Sequence, residues 1–265
     1  MSKSGRTALI TGASAGLGRE FARLAARDGH DVVLVARRKD RLQELAHELE
    51  GAHGVVATVI DADLADPAGP QAVVERAVAA GIVVDFLINN AGFGSHGAYA
   101  QSDFARQAEM VDVNIRALMA LTHRYLPKML ARKSGRILNV ASLAGFVPGP
   151  YMATYYASKA FVLSFTEALA TEVRGTGVTV TASCPGPVAT EFGAVANSDR
   201  TNLLRSGAAD AVSVARHGYQ AMMAGKVVAV PGFKNKLTTL LIRLGPRSAV
   251  RTATTWMNKK PNKKP

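Results

Sequence analysis

The 265-residue sequence holds one cysteine, Cys184, and only 6% aromatic residues. A lone cysteine excludes a disulfide framework and implies a reducing compartment. Cys184, just ahead of a predicted turn, is expected as a small buried hydrophobe. No apolar run reaches the roughly 18–20 residues needed to cross a bilayer. Met1 to Arg6 is short and polar with no hydrophobic stretch behind it. A soluble, cytoplasmic protein is therefore expected. Internal repeats and interior low-complexity linkers are absent, and no metal-ligand set is assigned.

Acid is missing from one end. After Asp210 there is no Asp or Glu, while eleven Lys and Arg follow, so 11 of the net +12 lies in the last 55 residues. Two readings compete. One is a solvated, frayed tail over Lys259 to Pro265. The other concerns Lys236 to Trp256, where Leu237, Leu240, Leu241, Leu244 and Trp256 form an apolar stripe among Arg243, Arg247 and Arg251, interrupted by Pro246. Such a helix either packs as core, the commoner outcome, or lies on an anionic membrane surface or a partner. Interleaved aromatics and a base-reading motif are lacking, so no nucleic acid partner is expected.

Gly, Ala and Val are abundant and 48% of residues are hydrophobic. That is the make-up of a layered α/β protein with buried parallel strands, and the length suits one domain with a large core. Thr7 to Ile10 is an apolar run leading into Thr11-Gly12-Ala13-Ser14-Ala15-Gly16-Leu17-Gly18, with a helical pattern through Ala26. Strand, glycine-rich turn and helix in that order is the context of a dinucleotide-binding loop. Gly12 permits the tight turn, Gly16 lets the backbone approach a pyrophosphate, and Gly18 lets the helix close on the sheet. The helix N-terminus adds N–H donors and a positive dipole end. Asp31 to Ala36 reads as the second strand. An NAD-binding chain places an acid at its end, on the ribose hydroxyls; here stand Ala36, Arg37 and Arg38. The arginines are either a bidentate clamp for a 2′-phosphate or two solvated residues opening a helix. With the phosphate loop upstream, NADP rather than NAD is the expected cofactor.

Lys39 to Glu50 has an amphipathic helical pattern, and Val55 to Ile60 reads as a strand followed by Asp61-Ala62-Asp63-Leu64. An acid there either bonds an adenine amino group or, as Asp66 before Pro67, caps a helix. Gln71 to Ala80 is a predicted helix. Phe86 to Ile88 is a predicted strand closing on Asn89-Asn90-Ala91-Gly92, small residues over which a cofactor can pass and an Asn pair able to tie strands. Asp103 to Ala131 carries two helical segments. Asn114, in the apolar face of the second, is either a core crosslink or part of a proton-relay water site.

Arg136 to Val140 is a strand that brings Ser142 to its carboxyl end, where open α/β sheets bind ligands. Thr154 to Val173 reads as one helix, putting Tyr155 and Lys159 one turn apart on the same face. A charge about 4 Å from a phenol, at an effective dielectric of about 20, is worth roughly 4 kcal/mol, enough to bring a Tyr from ~10 toward the working range. Val178 to Ala182 is the next strand, with Pro185-Gly186-Pro187-Val188-Ala189-Thr190 turning out of it. Residues 191–209 are expected as a functional loop, Asp210 to Ala224 as a helix, and Val227 to Val230 as a last strand leaving through Pro231-Gly232. Phe93, Phe146, Pro148, Tyr151, Met152 and Phe192 are placed to line an apolar substrate pocket.

These pieces, in this order and spacing from about residue 5 to 232, resemble the short-chain dehydrogenase/reductase family. The matching motifs are Thr11-Gly12-x-x-x-Gly16-x-Gly18, Asp63, Asn89-Asn90-Ala91-Gly92, Asn114, Ser142, Tyr155-x-x-x-Lys159, and Pro185-Gly186 with Thr190. The resemblance implies an α/β Rossmann fold, a doubly wound seven-stranded parallel sheet with helices on both faces, over residues 1–232. Residues 233–265 would be a basic extension, partly helical with a disordered tail. It implies Tyr155 as general acid in reduction and base in oxidation. Lys159 would lower its pKa and bond the nicotinamide ribose, Ser142 would orient the substrate carbonyl, and Asn114 would hold a relay water. Tyr156 adjoins Tyr155, but only Tyr155 is both four residues before Lys159 and thirteen after Ser142. Cofactor contacts are implied for Gly12, Ser14, Ala15, Gly16, Leu17, Gly18, Arg37, Arg38, Asp63, Leu64, Asn90, Ala91, Gly92, Tyr155, Lys159, Pro185, Gly186, Val188 and Thr190.

The expected activity is NADP(H)-dependent interconversion of a hydrophobic carbonyl compound and its alcohol. The alternative is a non-catalytic NADP-binding sensor or scaffold, membrane-peripheral through the basic C-terminus. Family analogy implies a homodimer or homotetramer built through the helices around 104–131 and 154–174. The sequence departs from the acyl-carrier reductase branch, which closes on Asp-Gly-Gly: here Val230-Pro231-Gly232-Phe233-Lys234-Asn235-Lys236-Leu237 runs on basic, so a fatty-acid-synthesis role is not implied.

Overall fold

Short runs of Val, Ile, Leu and Ala form seven strands: β1 (Thr7–Thr11), β2 (Asp31–Ala36), β3 (Ala57–Asp61), β4 (Phe86–Asn89), β5 (Gly135–Val140), β6 (Val178–Ser183) and β7 (Val228–Ala229). In this computed structural model, residues 5–260 are described apart from Arg200, Ser206 and the side chains of Leu204 and Arg205. Met1–Ser4 lie outside the described residues, as do residues 261–265 of the tail expected over Lys259 to Pro265; its first two residues are held instead, Lys259 by the Asn202 amide at 3.1 Å and Lys260 by Asn197 at 2.9 Å.

Every strand pairs in parallel, in the order β3-β2-β1-β4-β5-β6-β7. Successive side chains leave a strand on opposite faces. Ala8, Ile10, Val32, Leu34, Ile88 and Leu138 therefore pack beneath α1 (Gly16–Arg27), α2 (Lys39–His53) and α9 (Ala211–Met223), against Phe21, Leu45 and Tyr219. Leu9, Val33, Leu87, Ile137 and Val180 pack on the other face with α3 (Gly69–Ala79), α5 (Leu118–Ala131) and α6 (Ala153–Glu172), through Val73, Leu121, Tyr125 and Leu169. Both faces being covered explains why the central strands are apolar throughout rather than alternating. This is the doubly wound Rossmann arrangement. Cys184 is fully buried beside Val162 and Ala182.

Three segments depart from the sequence expectation, each near the carboxyl ends of the strands. The region 104–131, expected as two helices, is one continuous rod: α4 (Phe104–Val111) runs through a π turn at Asp112–Ala117 into α5. The wider turn carries Asn114, whose amide is tied to neighbouring chain on both sides; π turns absorb such an extra residue and cluster at functional sites. The segment 191–209 is more ordered than a loop. It holds the one-turn helices α7 (Phe192–Val195) and α8 (Asn202–Arg205), and a Val188–Ala209 bridge closes it. Beyond Gly232, the apolar stripe is split at Pro246 into α10 (Phe233–Leu244) and α11 (Arg247–Asn258). Neither joins the cores on the sheet, so the commoner fate of a Leu stripe does not hold for this one. No helix among the described residues is long and apolar enough to cross a membrane.

Candidate active site

Strands β1 and β4 are neighbours whose following helices leave to opposite faces, and such a switch point opens a crevice at the carboxyl ends of a parallel sheet. A cavity of about 830 Å³ occupies it, lined by the glycine-rich turn, the ends of β4 and β5, the start of α6, the 185–203 segment and both C-terminal helices.

The β1 end of the cavity is built from backbone. Thr11 Oγ1 accepts from the Asn90 and Ala91 amides at 3.0 and 2.9 Å, and Asn90 Nδ2 donates to the Thr11 carbonyl at 2.9 Å, locking the end of β4 to β1. Asn89 ties β4 to β5 through Asn139 at 2.9 Å. Helix α1 opens on Ala15 with no side-chain cap and no acid in its first turn, which leaves its N–H groups and dipole directed at the crevice. A side chain at Gly18 would run into the Gly12 carbonyl, so only glycine lets α1 close on the turn. Gly16, at φ +52°, would put a Cβ 3.1 Å from Thr190, whose segment folds down over the turn.

Arginines rim this end. Arg38 donates to Ser14 Oγ at 3.2 and 3.3 Å and pairs with Glu191 at 2.9 Å; Arg41 pairs with the same carboxylate at 2.6 Å. Together, Arg41 first, they hold the Glu191 carboxyl below its ordinary range. Arg37 faces Glu109 at 3.3 Å and Asp63 at 3.9 Å. Asp63 also accepts from the Ala65 amide at 3.0 Å, and Asp66 from the Ala68 amide at 2.8 Å. An uncapped helix N-terminus, a glycine cradle and three guanidinium groups form a donor set that fits a phosphorylated dinucleotide.

At the other end the helix α6 presents Tyr155 and Lys159, as their spacing requires. Lys159 is buried and donates to the Val140 carbonyl at 2.7 Å, its ammonium 5.9 Å from the centre of the Tyr155 ring. Burial lowers Lys159 to about 8. It raises the Tyr155 phenol to about 12, with the neighbouring Ser142 hydroxyl acting in the opposite direction. The expected depression of the phenol by its ammonium neighbour is thus not found: loss of hydration outweighs a charge held this far off and turned toward Val140. Ser142 accepts from the Ala144 amide at 3.1 Å, which fixes it at the head of the Leu143–Phe146 turn. Asn114 is buried. It accepts from the Phe93 amide at 3.1 Å and donates to the Phe93 carbonyl and to Ser158 Oγ, each at 3.0 Å; Ser158 in turn donates to the Tyr155 carbonyl at 2.7 Å.

A family model described as short chain dehydrogenase matches residues 6–201. The chain belongs to the short-chain dehydrogenase family. It is 39% identical over 188 residues to oxidoreductase UcpA of Salmonella typhimurium, covering 71% of each chain. A short-chain dehydrogenase from Sphingobium yanoikuyae, solved in complex with NADPH, superposes with a TM-score of 0.81 at 33% identity over 94% of this chain and 97% of that one. A Burkholderia phymatum family member in complex with NAD gives 0.81 at 28% identity, covering 91% and 94%.

In this short-chain dehydrogenase most of the residues singled out from the sequence meet in the one cavity. Gly12, Ser14, Ala15, Gly16, Leu17, Arg37, Arg38, Asp63, Leu64, Asn90, Ala91, Gly92, Phe93, Ser142, Met152, Tyr155, Lys159, Pro185, Gly186, Val188, Thr190 and Phe192 line it. Asn114 and Gly18 are buried and do not line it. Phe146 and Tyr151 do not line the cavity. The turn after Ser142 swings Phe146 toward Leu118 and Val162, and Tyr151, at φ +67°, points out to stack on His96 in a separate shallow groove. Pro148 likewise lies off the lining.

Sequence reasoning missed Arg41 and Glu191, which are adjacent only across the crevice, and the whole C-terminal wall. Thr238, Leu241, Ile242, Val250, Ala253 and Met257 close the cavity from above. Asn258 anchors that roof: it accepts from Tyr156 Oη at 3.0 Å, donates to the Pro150 carbonyl at 3.0 Å, and its own carbonyl meets His96 Nε2 at 2.7 Å. The Arg41 signal was present as a third arginine, two residues beyond Arg37, Arg38 and Lys39. Nothing local marks Asn258.

Proposed function

We propose that this short-chain dehydrogenase is an NADP(H)-dependent oxidoreductase that interconverts a hydrophobic carbonyl compound and the corresponding alcohol. The observation that carries the reading is convergence: an arginine-rimmed phosphate cradle and the Ser142, Tyr155 and Lys159 side chains share one cavity whose remaining wall is mostly apolar. The dinucleotide would be held by the turn from Gly12 to Leu17, by Arg37, Arg38 and Arg41 at a 2′-phosphate, and by Asn90, Thr190 and Lys159 toward its nicotinamide end. When bound, it supplies or accepts the hydride.

The chain's own task is the proton. A phenol at about 12 stays protonated through neutral pH, so Tyr155 enters reduction as the acid and gives its proton to the carbonyl oxygen, while Ser142 holds that oxygen. Lys159, still charged at pH 7, favours the phenolate that remains. Asn114, through Ser158, fixes the first turn of α6 and hence the position of Tyr155. Met152, Tyr156, Ala196 and Phe192 pack as one apolar cluster beside Tyr155, which favours a hydrophobic substrate and keeps water from the reacting carbon.

The test is NADPH oxidation screened across ketoacyl thioesters, steroids, aldehydes and sugar ketones, each repeated with NADH. Turnover of an apolar member with preference for NADPH supports the reading; sugar ketones as sole substrates, or preference for NADH, contradicts it.

A further inference from the structure

We propose that the outer face of α10 is a docking surface for an anionic lipid bilayer. The helix has no buried residue, yet six of its twelve side chains are large and apolar. Phe233, Leu237, Leu240 and Leu244 are 80, 45, 57 and 78% exposed. At 100° per residue these four fall within a sector of roughly 60° on one side of the helix. Lys234 flanks that sector on one edge, Lys236 and Arg243 on the other. A different edge of the same helix, through Thr238, Leu241 and Ile242, roofs the cavity, so the exposed stripe is surplus to the packing of the roof.

Charge selects the occupant. Lys and Arg continue from Asp210 to the end without a single acid. A second copy placed symmetrically on this stripe would bring bases against bases with no carboxylate to match them. An anionic leaflet supplies diffuse negative charge instead, and lysine stems can lie along lipid while their ammonium groups stay in water. A single convex helix with an apolar stripe between basic edges is the geometry of a side chain layer that enters the headgroup region without spanning it.

The experiment is co-sedimentation of the full chain with vesicles of phosphatidylcholine alone and of phosphatidylcholine mixed with phosphatidylglycerol, at physiological salt. The proposal expects binding to the mixed vesicles at least tenfold tighter than to the neutral ones, weakening as salt rises. Leu240→Glu combined with Leu244→Glu should lower it at least tenfold with the circular dichroism and cofactor uptake of the parent. Lys236→Gln with Arg243→Gln, which leaves the apolar stripe whole, should lose several-fold on the mixed vesicles alone. Equal partition onto both vesicles, no binding to either, or binding indifferent to both variants would overturn it. So would a self-association abolished by the two glutamates without vesicle binding, which would assign the stripe to a second copy.

Discussion

Tyr155 and Tyr156 are sequence neighbours with different environments. Tyr155 faces Ser142 and Phe192, while the Tyr156 hydroxyl is spent on Asn258. Tyr156→Phe should leave turnover of a small carbonyl within about threefold and weaken only the roof, since one neutral hydrogen bond is worth about 1 kcal/mol. Lys159 carries a cost. Its folded pKa of about 8 against an ordinary 10.5 means that at pH 7 both folded and unfolded chains bear the charge, and burying it costs roughly 3 kcal/mol. Because the folded value is depressed, the unfolded chain binds more protons between about 8 and 10.5, and stability rises with pH across that window. Lys159→Met should therefore raise stability at pH 7 by about 2 kcal/mol, after about 1 is lost at the Val140 carbonyl, and abolish most activity. The gain should shrink below about 1 kcal/mol at pH 9.5, as read by denaturant unfolding at the two pH values. A gain that is the same at both would mean that the ammonium is not the source of the cost.

Among the elements, the 185–203 segment and α11 move the account beyond what the motifs allow. Glu191 spans the crevice to Arg38 and Arg41, the groups a 2′-phosphate would use. Glu191→Gln should then tighten NADPH about fivefold and leave NADH unchanged, the size expected for removing exposed carboxylate pairing; isothermal titration with both cofactors checks it, and equal tightening for both would remove Glu191 from phosphate selection. For α11, Asn258→Ala cuts the bonds to Tyr156 and Pro150. Two lost bonds of about 1 kcal/mol each should raise KM for an apolar substrate by about tenfold or more, with NADPH affinity unchanged and faster amide exchange confined to 247–258.

Across the whole molecule, legibility follows how local the determining interactions are. The glycine turn, the strand ends at Asn90 and Ser142, and the Tyr155–Lys159 turn are set within a few residues, so spacing alone placed them in one cavity. Phe146 and Tyr151 lie off the lining because a 3₁₀ turn carries Phe146 into a separate apolar cluster and a positive φ turns Tyr151 toward His96. Asn258 and the wall from Thr238 to Met257 depend on contacts a hundred residues away, as Tyr156 and Pro150 are, and periodicity carries no such information. The same holds for the exposure of the α10 stripe, which its composition left open between core and surface. At this scale we also expect pairing of copies through the α4–α5 and α6 faces, where Phe104 and Met119 are 74 and 41% exposed. Light scattering of the full chain should give twice or four times the 27.9 kDa chain mass, reverting to one on Phe104→Asp with Met119→Asp.

The most direct measurement is a pair of titrations on Tyr155→Phe: NADPH binding by calorimetry, and turnover of the best carbonyl found in the screen. Cofactor affinity should stay within about threefold of the parent while kcat falls at least ~10²-fold, the contribution of a positioned proton donor. Turnover kept within tenfold, or lost instead on Tyr156→Phe, would contradict it.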